Sequence, residues 1–144
     1  MQALLVPAHL RGSAFDGSAV SIVNDGRPKI VIFIAHWCPH CQAEVPLITK
    51  WIAANGLPSG VDMYAVSTGV SKDLPNYPPS AWLQKVKWPL PTLADSDNAV
   101  AAQAFGLNAY PFFSVVNASG KLSLRATGEL DTAHLAQLVE LAKS

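Results

Sequence analysis

Cys38 and Cys41 are the only cysteines among 144 residues, and they stand three positions apart directly after the apolar run Ile30-Val31-Ile32-Phe33-Ile34-Ala35. A disulfide between them would close a loop of only two residues, whereas the stabilisation a cross-link gives the folded state grows with the loop it closes. The pair is therefore a poor structural staple, and reactivity is the better reason for its presence. The run before it is far short of the roughly 20 residues that span a bilayer. It fits a strand buried on both faces, as in a sheet covered by helices on either side.

The segment Trp37-Cys38-Pro39-His40-Cys41 lies where this strand should give way to a helix. With Cys38 at the N-cap, Pro39 falls at the first helical position, where a missing N–H costs nothing and the fixed φ suits the turn. The free N–H groups of His40 and Cys41 are then expected to point back at the Cys38 sulfur. The positive end of the helix dipole favours thiolate over thiol there, and thiols in Cys-X-X-Cys motifs so placed are generally acidified. A protonated His40 would add a second favourable charge. Cys38 is thus the expected nucleophile, and Cys41, one turn inside the helix, the expected resolving thiol. A stabilised thiolate is also a good leaving group and favours the reduced form, so the motif leans toward donating disulfides.

At 15.3 kDa, with half its residues apolar, the chain has the size and content of one domain with one core. Ten basic and ten acidic residues cancel. Neither sign forms a run, which argues against a nucleic-acid or anionic-membrane partner. Met1 to Pro7 has neither the basic region nor the apolar length of a signal peptide. The expectation is either a cytosolic protein or one whose export signal or anchor lies outside this chain.

Residues 1–17 read as an irregular N-terminal extension and 18–144 as the domain. Expected strands cover Ala19 to Val23, Lys29 to Ala35, Val61 to Ser67 and, as a short edge strand, Pro89 to Ala94. The spacing of Val45, Ile48 and Ile52 predicts an amphipathic helix from Pro39 to about Asn55, stopped by Gly56 and interrupted by Pro46. The proline-rich stretch 74–79 leads into a short helix from Ser80 to about Val86. Asp95-Ser96-Asp97 should cap a helix running through Phe105 to Gly106. Phe112 to Val116 and Lys121 to Thr127 form a hairpin about Asn117-Ala118-Ser119-Gly120, and a closing helix runs from Asp131 to Lys143. Strands that first alternate with helices and then form a hairpin indicate an α/β fold with a mixed sheet.

The run Ala35-His36-Trp37-Cys38-Pro39-His40-Cys41, followed by Glu44-Val45-Pro46, resembles the active-site segment of the thioredoxin superfamily. It is most similar to the extracytoplasmic branch, which includes the cytochrome c maturation reductases, and its Pro-His dipeptide resembles that of periplasmic disulfide-forming oxidases. The order of elements is similar from about Phe15 to Leu141. The resemblance implies a thioredoxin fold, a central mixed β-sheet flanked by helices on both faces. It also implies thiol–disulfide exchange with protein substrates and a separate redox-recycling partner, in a monomer acting outside the cytoplasm without cofactor or metal. It assigns Pro111 as a cis-proline facing the thiols, with the Tyr110 backbone pairing with an extended substrate. Trp37 matches the tryptophan before the first cysteine, and Pro46 the proline that kinks the active-site helix.

There are departures. Ile32 stands where cytosolic thioredoxins carry a buried Asp that helps deprotonate the resolving cysteine. Ala35 stands where peroxiredoxins carry Thr or Ser, which argues against peroxidase activity. The same fold and motif leave an extracytoplasmic reductase, and a redox-inert binding module using the Pro111 edge, as alternatives to an oxidase.

Other features have plainer readings. A zinc site needs four ligands, and no second Cys-X-X-Cys or paired histidines accompany this motif. His9 and His134 read as solvated and His36 as a neighbour of the thiols without a role. Glu44 reads equally as a residue that tunes the thiols and as a carboxylate favoured by a helix N-terminus. Asn117-Ala118-Ser119 matches a glycosylation sequon, yet a hairpin turn explains it. Tyr77, Trp82 and Trp88, with Tyr110, could line a substrate groove, but apart from Tyr110 beside the proline they read mostly as core or loop packing.

Overall fold

The computed structural model describes residues 4–5 and 9–144. Its strands are β1 (Leu4–Leu5), β2 (His9–Ser13), β3 (Ala19–Val23), β4 (Lys29–Ile34), β5 (Asp62–Ser67), β6 (Thr92–Ala94), β7 (Phe112–Val116) and β8 (Lys121–Thr127). The helices are α1 (Pro39–Asn55), α2 (Pro79–Lys85), α3 (Val100–Ala104) and α4 (Thr132–Lys143). One eight-stranded sheet runs in the order β1-β8-β7-β4-β5-β6-β2-β3. β4 is parallel to β5, with Ile32 opposite Ala65, and antiparallel to β7, with Ile32 opposite Phe113. The sheet is therefore mixed, as expected.

Every residue of β4 is buried, and because side chains alternate across a strand, β4 feeds two separate cores. Ile30, Ile32 and Ile34 pack with Val45, Ile48 and Ile52 of α1 and Leu135, Leu138 and Val139 of α4. Val31 and Phe33 face the other way, against Phe112, Val66, Leu93 and the α3 side chains Ala101 and Ala102. Phe33 sits 5.2 Å from the Phe105 ring centre and 5.9 Å from that of Phe112. Both cysteines belong to the first core.

Local signals work where they are strong. Gly56 ends α1 at φ 76°, its N–H donating to Ile52 O. Asn117 shapes the β7–β8 turn, its Oδ1 accepting from Ser119 N, Ser119 Oγ and Lys121 N. Asp131 caps α4 by accepting from His134 N at 2.9 Å.

Three expectations are corrected. The stretch to Gly17, expected to be irregular, contains β2, which pairs with β3 from His9 opposite Val23 to Ser13 opposite Ala19. The sheet thus begins before the boundary drawn at Ser18. Because Ser13 also pairs with Ala94, β6 is not an edge strand. The third helix starts only at Val100, since Ala99 turns left-handed (φ 54°) and Asp95 reaches across the turn to accept from Ala101 N and Ala102 N.

Candidate active site

The chain leaves β4 at Ile34 and enters α1 at Pro39, so the redox motif sits at the carboxyl end of the central strand, where open α/β sheets place their sites. Cys38 is the N-cap residue with extended backbone, Pro39 occupies the first helical position, and Gln42 N donates to Cys38 O to start the helix. Both cysteines are free thiols. Cys38 keeps 8% of its surface exposed and Cys41 none.

The Cys38 side chain makes no cap hydrogen bond with the N–H groups of the first turn, contrary to expectation. Its Sγ lies instead 3.9 Å from Tyr110 O, because the strand start at Phe112 brings Tyr110 and Pro111 over the motif. The Tyr110–Pro111 peptide is cis. Cys41 Sγ accepts from Ala35 N at 3.5 Å, but burial dominates and pushes its thiol up to about 12. Cys41 is thus held as a thiol.

Trp37 and Tyr110 meet edge to face with ring centres 5.7 Å apart. The Trp37 indole donates to Gly69 O at 2.8 Å. Gly69 has φ +64°, and a Cβ there would sit 3.0 Å from the Tyr110 hydroxyl, so only glycine suits this approach. The structure therefore brings Trp37, Cys38, Cys41, Tyr110 and Pro111 together. His40 turns outward: its ring is 65% exposed, and Nδ1 lies 2.8 Å from Glu129 Oε2. Any positive charge it carries is paired with that carboxylate, which weakens the second favourable charge expected at the sulfur.

Sequence reasoning underrated two residues. Glu44, one turn after Cys41 on α1, is 1% exposed and accepts from Leu130 N at 2.6 Å. Burial, reinforced by the Glu129 and Asp131 carboxylates, pushes it up to about 7 against one stabilising amide bond. His36 is fully buried and ties the loop after β5 to the redox turn. The available signal was positional: β5 is the parallel neighbour of β4, so the loop leaving its carboxyl end had to run beside the thiols. The side chain of His9 lies outside the described residues, and His134 is exposed and paired with Asp131.

No helix among the described residues is long and apolar enough to cross a membrane. The structure is similar to a thiol:disulfide interchange protein of the thioredoxin family from Chlorobium tepidum TLS, with TM-score 0.76, 23% identity and 99% of each chain covered. It is also similar to MTB DsbF, solved in mixed oxidized and reduced forms, with TM-score 0.70, 25% identity, and 96% of this chain and 99% of that one covered. By sequence, 69 residues are 35% identical to the soluble secreted antigen MPT53 of Mycobacterium tuberculosis, a stretch that is 44% of this chain and spans only 38% of that protein's length. The Redoxin family profile matches residues 6–140, and the chain, with its thioredoxin fold, belongs to the Redoxin family.

Proposed function

We propose that this chain is a thiol–disulfide oxidoreductase that exchanges disulfides with protein substrates, Cys38 acting as nucleophile and Cys41 as resolving thiol. The observation that carries this reading is the asymmetry of the pair. Cys38 keeps a small exposed edge, 8% of its surface, at a helix start beside Tyr110 O, while Cys41 is wholly buried with its thiol pushed up to about 12.

In the oxidising direction a substrate thiolate attacks Sγ of Cys38 in the Cys38–Cys41 disulfide, that bond breaks, and Cys41 leaves as a thiolate and takes up a proton. A second substrate thiolate then attacks the substrate's own sulfur in the mixed disulfide and releases Cys38. The substrate gains a disulfide and the enzyme becomes a dithiol. The place of Cys38 at the start of α1, the end of a helix where negative charge is favoured, supports this direction. The Tyr110 carbonyl is the partner for an extended substrate backbone, with Trp37 beside it and the cis peptide to Pro111 setting its place over Cys38. The work is done by a monomer outside the cytoplasm, reoxidised by a separate partner, and the secreted relative MPT53 supports that location.

One observation favours the reverse, reducing direction. Cys41 must then lose its proton, and Glu44, three residues on along the same face of α1, titrates near 7 and replaces the acid that Ile32 does not supply.

The two cysteine roles are tested by trapping. Reduced Cys41→Ser should accumulate a mixed disulfide when mixed with a disulfide-bearing protein, and Cys38→Ser should not. Identical behaviour of the two variants on non-reducing gels would overturn the assignment.

A further inference from the structure

We propose that His36 is a latch that ties the loop between β5 and α2 to the redox turn as a neutral imidazole carrying its proton on Nδ1, and that protonation at Nε2 releases the loop. Pro75 O, 2.6 Å from Nδ1, can only accept a hydrogen bond, so Nδ1 must carry a proton. Ser71 N, 3.1 Å from Nε2, can only donate, so Nε2 must be bare. One tautomer of one protonation state satisfies both partners.

The attachment is local and nearly complete. The His36 carbonyl accepts from Asn76 Nδ2 at 3.1 Å, and the Trp37 indole holds Gly69 O. Four hydrogen bonds thus run from two consecutive residues to both ends of the loop, and three of them pass through His36. The same loop exposes the large apolar side chains of Val70, Leu74 and Tyr77.

Charging the ring turns the Ser71 contact into two N–H donors facing each other. The ring is fully buried, so water does not compensate. The titratable groups near it are the Tyr77 phenol, whose ring packs edge-on at 5.9 Å, the exposed Lys72 and Asp73 of the loop, and the Cys38 thiol two residues on. Among the described residues no side chain forms an ion pair with His36, unlike His40 and His134. With no ion pair to hold the charged ring and the Ser71 N–H opposed to it, the Ser71 end of the loop gives way.

The latch stands whether or not the thiols exchange disulfides, and its test uses neither of them. Ring nitrogen–proton correlation spectra of the reduced wild-type chain should show Nδ1 protonated and Nε2 bare at neutral pH, with the titration followed in the same spectra. Protection of the Ser71 amide against hydrogen exchange, normalised to its intrinsic rate, should fall about tenfold or more as the ring charges. His36→Gln, which can offer one acceptor and one donor and does not titrate, should keep protection flat with pH. His36→Phe should lack it throughout. An Nε2-protonated neutral ring, or Ser71 protection that does not follow the His36 titration, overturns the proposal; the spectra of the wild-type chain decide this even if neither variant folds.

Discussion

Glu44 offers the sharpest energetic test, because its surroundings set both the size and the sign of an effect. Its carboxyl moves from an ordinary 4.5 to about 7 on folding, chiefly through burial. Below pH 4.5 it is neutral in both states and costs nothing. Between 4.5 and 7 the unfolded chain ionises first, so stability falls as pH rises, and above 7 the whole penalty is present. The shift corresponds to about 3 kcal/mol at most. The part due to the exposed Glu129 and Asp131 is screened by salt, which leaves roughly 2 kcal/mol. Glu44→Gln can still accept from Leu130 N but cannot ionise. Urea unfolding of the reduced protein should therefore show the variant gaining roughly 2 kcal/mol relative to wild type between pH 4 and pH 8. At a slope of about 1–3 kcal/mol per molar urea that is a midpoint change of about 1 M. Any constant cost of the new amide cancels in this difference. A stability difference that is the same at both pH values would show that Glu44 is not held as described.

Two substitutions probe the framework around the site. Phe33→Ala empties a fully buried position between Phe105 and Phe112 and should cost about 3–5 kcal/mol, read from chemical denaturation, without changing the reactivity of Cys38 toward a thiol reagent. Gly69→Ala places a Cβ against the Tyr110 hydroxyl at positive φ and should cost about 1–2 kcal/mol. It should also shift the Trp37 indole N–H resonance, and an unmoved resonance would mean that the Gly69 contact does not shape the site.

The residues that sequence placed well are those whose local chemistry admits one solution. Six consecutive buried residues in β4, a proline after an N-cap cysteine, Gly56 and the Asn117 turn leave few alternatives, and the thiol centre follows from them. β2 was hidden because it is short and contains Gly12, which weakens a strand signal. That glycine is needed for packing, since a Cβ there would sit 3.1 Å from Leu93. The Asp95 cap was legible as a cap but not as one acting across a turn, as its bonds to Ala101 and Ala102 skip five intervening residues or more. His36 was passed over because its partners are backbone atoms of an aperiodic loop about 35 to 39 positions away, which no sequence pattern specifies.

The alternation of β4 sets up a division of labour within so small a protein. The isoleucines at 30, 32 and 34 and the two sulfurs share one compartment, while Val31 and Phe33 look into another that contains no thiol. Volume changes among Leu93, Phe105 and Leu122 act first on the face of the sheet opposite the two sulfurs. The two faces of one strand thereby separate the packing that closes the far side of the sheet from the packing that encloses the sulfurs.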